Sequence, residues 1–160
     1  MKFHHMALMV TNLEDAIRLW RDVMGFELGV ETVIPDGPEP GPNTFMYPAL
    51  LDDIFKIKGA RSRMALLSSK DGAFIELQEC LNPAITKTPE ENLRYGHTGI
   101  HELGLLVTDI DGWFEKVRAG YRTQTDYVWQ CASMGRSFLF YDQDGNMIQL
   151  WENLGEPEWS

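Results

Sequence analysis

A chain of 160 residues, 44% hydrophobic and 24% charged, is one globular domain's worth and long enough to bury a core, which excludes a disordered segment. Its net charge of −10, from 14 basic against 24 acidic residues, argues against a nucleic-acid surface, which needs a basic face. Two cysteines, Cys80 and Cys131, are too few for a disulfide framework and fit no zinc spacing. No apolar run approaches the roughly eighteen residues of a membrane helix, and the opening MKFHHMALMV is too short and too broken by histidine for a signal peptide. A cytoplasmic protein with free thiols, no nucleic-acid partner and no membrane partner is therefore expected.

The first element is a strand, MALMV, in which branched and apolar residues dominate. Asn12 then serves as a helix N-cap with acidic residues behind it, and Leu13, Ala16, Ile17 and Trp20 form one apolar helical stripe. Residues 31–62 follow as an insertion. Within it PDGPEPGPN reads as a loop and PALLDDIFKIKG as a short helix, with Pro48 in its first turn and Gly59 at its end. The insertion is either a surface excursion or a lid or wall over a site. Residues 63–79 read strand, Lys70–Asp71–Gly72 turn, strand.

After a linker at residues 83–98, bearing Pro83 and Pro89, the order returns. LGLLV is a strand, Asp109 an N-cap, and Ile110, Trp113, Phe114 and Val117 a second stripe; a strand, Gln143–Asp144–Gly145 turn and strand close the chain. Val10–Thr11–Asn12–Leu13 falls on Val107–Thr108–Asp109–Ile110 at an offset of 97. Arg63, Asp71, Gly72, Ile75, Leu77 and Glu79 each meet an identical residue at an offset of 73. The chain is thus an α+β protein of two tandem βαβββ modules, near residues 1–82 and 99–154, within a single domain spanning 1–160.

Strand alternation sorts the polar residues onto faces. His5, Ala7 and Met9 share one face of the first strand, and Glu102, Gly104 and Leu106 share one face of its repeat. The alternate positions are uniformly apolar and belong against the helices, which sends His4 and His101 to the helix side. Glu76 and Gln149 stand between apolar neighbours in the last strand of each module.

The duplicated modules, the N-terminal HHxALxVxxLExAxxxWxxxxGF and the closing DxDGNxIxL resemble the vicinal oxygen chelate superfamily, which includes glyoxalases, bleomycin resistance proteins and extradiol dioxygenases. The resemblance implies a cup-shaped mixed sheet with the helices outside. It implies a divalent metal ion (Zn, Ni, Co, Mn or Fe) held by His5, Glu76, Glu102 and Gln149, one residue from the first strand and one from the last strand of each module. The common pattern has His where Glu102 stands and Glu where Gln149 stands, yet imidazole, carboxylate and amide oxygen all bind divalent ions.

By the same resemblance the expected function is metal-assisted lyase or isomerase chemistry of the glyoxalase or epimerase type on a small oxygen-rich substrate, with Glu102 or Glu76 as the base. The alternatives are an Fe(II) extradiol-type dioxygenase and a metal-free ligand-sequestering resistance-type protein. His97 is either an acid or base at the pocket rim or a solvated loop residue. Arg63 and Arg136, repeat equivalents, either grip a substrate anion or end their strands in solvent. Trp129, with Tyr127 and Met134, lines a pocket or builds core. A homodimer is expected, with Trp159 in the tail or at a subunit contact.

Overall fold

The computed structural model describes residues 3–155; Trp159 lies outside the described residues. The chain divides into two compact units, Met1–Lys87 and Thr88–Ser160. In the first, β1 (His5–Met9) leads through Asn12 into α1 (Leu13–Ile17), which continues as a π-helical segment, Arg18–Val23, and then β2 (Glu27–Ile34), α2 (Pro48–Phe55), β3 (Arg61–Ser68) and β4 (Phe74–Asn82) follow. In the second, a short 3-10 turn (Glu90–Leu93) precedes β5 (Glu102–Leu106), α3 (Ile110–Arg118), β6 (Trp129–Cys131), β7 (Gly135–Tyr141) and β8 (Met147–Asn153). Each unit is a βαβββ module with one four-stranded mixed sheet, in the orders β1-β4-β3-β2 and β5-β8-β7-β6. The first strand of each pairs parallel with the last, and the other pairings are antiparallel.

Local chemistry explains the element ends. Asn12 Oδ1 accepts from the Asp15 N–H at 2.9 Å and Asp109 Oδ1 from the Gly112 N–H at 3.2 Å, satisfying amides that the first helical turn leaves without partners. The hairpins turn on Gly72 and Gly145, whose φ values of +84° and +90° suit a residue without Cβ. Leu13, Ala16, Ile17 and Trp20 are buried from the first helical segment, and Ile110, Phe114 and Val117 from the other.

The two repeat-equivalent arginines build a helix-to-sheet buttress. Arg63 donates to Glu14 in the first turn of α1 (2.5 and 3.1 Å) and to Glu79 on β4 (3.2 Å), while Glu79 also accepts from the Leu13 N–H at 3.1 Å. Arg136 grips Asp111 of α3 with both Nη atoms, at 2.6 and 2.7 Å, and Glu152 on β8 accepts from the Ile110 N–H at 3.3 Å. Identity at the 73-residue offset therefore marks one structural device used twice.

The Arg63 guanidinium holds the Glu14 carboxyl below its ordinary 4.5, and Arg136 holds Asp111 below its ordinary 3.8. A carboxyl whose folded pKa is depressed stabilises the fold above its unfolded pKa and loses that contribution as pH falls through the folded value. Arg63→Met and Arg136→Met should therefore lower the melting temperature at neutral pH. The deficit should shrink to nothing as the pH falls below those carboxyl values, which thermal melts across pH 2–7 check.

The insertion starts later than its sequence suggests, because Glu31–Ile34 continue β2 along β3. The prolines and glycines of residues 35–43 form the loop, tied by Asp36, whose carboxylate accepts from the Phe45 and Met46 N–H groups at 3.1 and 2.9 Å. Pro48 opens α2 as expected, but the helix ends earlier than Gly59: Lys56 takes the left-handed cap at φ 57°. Leu51 of α2 is buried with Ile34, Ala60 and Met64, and Leu66 packs against that cluster. Met64 and Leu66 are the register partners of Gln78 and Glu76. The insertion therefore packs on the Glu76-bearing face of its own sheet. Leu51→Ala should cost about 2–5 kcal/mol of stability, the range for emptying a buried leucine site, read by denaturant unfolding.

Candidate metal centre

In each unit one face of the sheet carries the helix, and the opposite face carries the polar residues singled out by alternation. On the first sheet the strand pattern exposes His5, Ala7 and Met9 in turn. Ala7 lies beside Glu76 in the parallel register, and on the second sheet Gly104 lies beside Gln149 in the same way. A small residue thus stands next to each of these last-strand side chains. A Cβ added at Gly104 would lie 3.6 Å from Gln149 Oε1, so the amide oxygen rests over that glycine. Glu76 and Gln149 occupy repeat-equivalent places, since their antiparallel partners Leu66 and Leu139 are also 73 residues apart.

The first unit brings His5 and Glu76 together, with His5 Nε2 3.5 Å from Glu76 Oε2. Two donors each about 2.1 Å from one ion at a tetrahedral angle lie about 3.4 Å apart, so this pair fits chelation of a single divalent ion. His5 Nδ1 lies 2.6 Å from His4 Nδ1, which orients the ring and leaves Nε2 toward the carboxylate. His4 does not join the helix-side core: it is exposed and stacks on Phe74, centroids 6.0 Å apart. It precedes the strand, so strand alternation does not govern it. Among the described residues no group of three or more His, Cys, Asp or Glu is close enough to hold a metal.

The second unit carries Glu102 and Gln149 on the face away from α3. Glu102 accepts a hydrogen bond from the Tyr95 hydroxyl. Partial desolvation of the hydroxyl, then the Glu102 carboxylate, push the Tyr95 phenol up to about 12, so it keeps its proton at neutral pH and is the donor. His101 also departs from the helix-side expectation. Its Nδ1 lies 3.2 Å from the Leu93 carbonyl oxygen and its Nε2 2.5 Å from that of His97, pinning the loop ahead of β5. His97 is exposed in that loop.

Arg63 and Arg136 stand on the helix side of their sheets, engaged by carboxylates of their own modules. A substrate grip is replaced there by the buttress, because both strand positions alternate away from Glu76 and Gln149. Trp129 is placed on the Gln149 face, packed against Leu139, Tyr141 and Met147. Tyr127 and Met134 are exposed. Two neighbours of the candidate ligands were not singled out from the sequence. Gln78, two residues beyond Glu76, donates from Nε2 to Glu76 Oε1. Tyr95 lies in a loop with no strand period, and its link to Glu102 depends on how that loop folds back.

Paired βαβββ modules that present imidazole, carboxylate and amide side chains on the face away from the helices define a protein of the vicinal oxygen chelate class. The chain belongs to the Glyoxalase/Bleomycin resistance protein/Dioxygenase superfamily, whose family model matches residues 2–150. Its fold is similar to that of a glyoxalase family protein from Bacillus cereus, with 18% identity over 96% of this chain and 95% of that one and a TM-score of 0.79. It is also similar to a glyoxalase/dioxygenase from Nostoc punctiforme, at 20% identity, 98% and 92% coverage and a TM-score of 0.62. A third likeness is a point mutant of the genomically encoded fosfomycin resistance protein FosX from Listeria monocytogenes, complexed with Mn(II) and 1S,2S-dihydroxypropylphosphonic acid; identity is 16%, coverage 99% and 95%, and TM-score 0.59. No curated protein sequence matches the chain. No helix among the described residues is long and apolar enough to cross a membrane.

Proposed function

We propose that this protein is a metal-dependent enzyme for a small molecule bearing two neighbouring oxygens, and that it catalyses isomerisation, epimerisation or elimination next to a carbonyl. The observation that carries the reading is the His5 Nε2–Glu76 Oε2 approach of 3.5 Å on the face away from α1. At the corresponding strand positions the second module carries Glu102 and Gln149, which the family resemblance assigns as the remaining oxygen donors. Two carboxylates balance the charge of a divalent ion such as Zn, Ni, Co or Mn. When bound, such an ion polarises a carbonyl and stabilises the oxyanion that develops from it. The FosX relative, complexed with Mn(II) and a vicinal diol phosphonate, supports a substrate of this shape.

His5 holds its Nε2 ready as a ligand through His4. Glu102 takes the proton from the carbon beside the carbonyl and returns it to the same or the neighbouring carbon, so the isomerising reaction consumes no co-reactant. Trp129 and its apolar neighbours exclude water beside Gln149. An Fe(II) extradiol site, by contrast, calls for two histidines and one carboxylate, and here His5 alone of the four donors is a histidine.

The test is turnover of a panel of α-keto thiohemiacetals, acyl-CoA thioesters, catechols and fosfomycin, with each metal added in turn. Turnover that requires metal on the carbonyl substrates supports the reading. Ring cleavage of catechols with Fe(II) favours the dioxygenase, and metal-free tight binding favours sequestration. The assembly is expected to be a homodimer, so sedimentation at micromolar concentration should give twice the chain mass; a species of single-chain mass alone contradicts this.

A further inference from the structure

We infer that Gln78 and Tyr95 are positioning residues, each occupying one oxygen of a carboxylate so that Glu76 and Glu102 offer a metal ion a single oxygen apiece. The inference rests on the donor set given under Proposed function. Gln78 Nε2 donates to Glu76 Oε1, while the other oxygen, Oε2, is the one that faces His5 Nε2 at 3.5 Å. Tyr95 donates to Glu102 Oε2 and leaves Oε1 without that bond. Both donors are neutral, so they direct the carboxylate without cancelling the charge that attracts a cation. A lysine or arginine in either place would compete with the ion.

The pairing follows the carboxylate rather than the repeat. Trp151 stands where the offset of 73 would place a second Gln78, and its indole N–H goes to Asn153 at 2.8 Å instead. The last-strand side chain of that module is the amide Gln149, which has no anionic oxygen to restrain. The carboxylate of the second module sits on β5, and there the donor arrives from the preceding loop. That loop is fastened at several points: His101 on the Leu93 and His97 carbonyls, and Glu90 on Arg122 at 2.6 Å and Arg94 at 3.0 Å. Gln78 is only 6% exposed, so packing confines its amide. Outer partners of this kind set ligand orientation, and losing one typically costs about 10–100-fold in metal affinity.

The experiment is Mn(II) titration of the metal-depleted full chain, wild type against Tyr95→Phe and Gln78→Met, followed by electron paramagnetic resonance of free Mn(II). Co(II) visible absorption and the metal-free melting temperature are recorded alongside. Tyr95 is 61% exposed, so Tyr95→Phe is the variant whose folding is secure. Each variant should weaken Mn(II) about tenfold or more. Each should also dim the Co(II) band, because a freed carboxylate binds through both oxygens and raises the coordination number. Wild-type affinity and an unchanged Co(II) spectrum in Tyr95→Phe would overturn the inference and leave the metal reading standing. A wild type that binds neither ion would overturn both.

Discussion

Glu102→Gln is expected to cut turnover by about two orders of magnitude or more, the usual share of general acid–base catalysis, while the metal-free protein melts near the wild-type temperature. Amide replaces carboxylate at nearly constant volume, and the Tyr95 hydroxyl that donates to Glu102 meets a carbonyl oxygen in its place. Packing is thereby kept while the proton acceptor is lost. Glu76→Gln is the matched control, because it removes the other carboxylate, the one 3.5 Å from His5. If Glu102 is the base, Glu76→Gln lowers metal affinity more than it lowers turnover at saturating metal. Full activity in both variants together with loss in His97→Ala would move the base to the exposed loop ahead of β5.

His5→Ala is expected to lower divalent-metal affinity by about 100-fold or more, at least the upper end of what losing a ligand's outer partner costs. His5 is the one nitrogen donor of the four, and its ring is held from the far side by His4 Nδ1 at 2.6 Å. Its side chain lies on the exposed face of an edge strand, so its removal leaves no buried cavity. The stabilisation that added metal gives in a thermal melt should disappear in the variant, whereas the metal-free melting temperature should stay. Unchanged metal-induced stabilisation would show that the ion sits elsewhere.

The fold was legible because both of its signals are periodic. Apolar alternation in MALMV and LGLLV, and helical stripes after Asn12 and Asp109, recur at fixed offsets, and a repeat doubles every such reading. Glu76 and Gln149 were legible as equivalents for the same reason: a strand period of two leaves one choice of face. What escaped has no period. The end of α2 depends on Lys56 accepting a left-handed backbone, where Gly59 looked the more natural stop. His4 and His101 lie outside their strands, so the alternation rule did not apply to them. The arginines show how repeat identity misleads about chemistry: Arg63 and Arg136 match because each fastens a helix to a sheet, a job invisible until Glu14 and Asp111 are seen beside them. Gln78 carried a faint signal, as a polar residue on the Glu76 face of a strand otherwise rich in apolar side chains.

Zinc-edge anomalous scattering from crystals grown with Zn(II) tests the central claim most directly. A single strong peak should lie about 2.0–2.3 Å from His5 Nε2 and from carboxylate or amide oxygens of Glu76, Glu102 and Gln149. A peak bound by other residues, or none at His5 and Glu76 in protein shown by titration to be saturated, would contradict it.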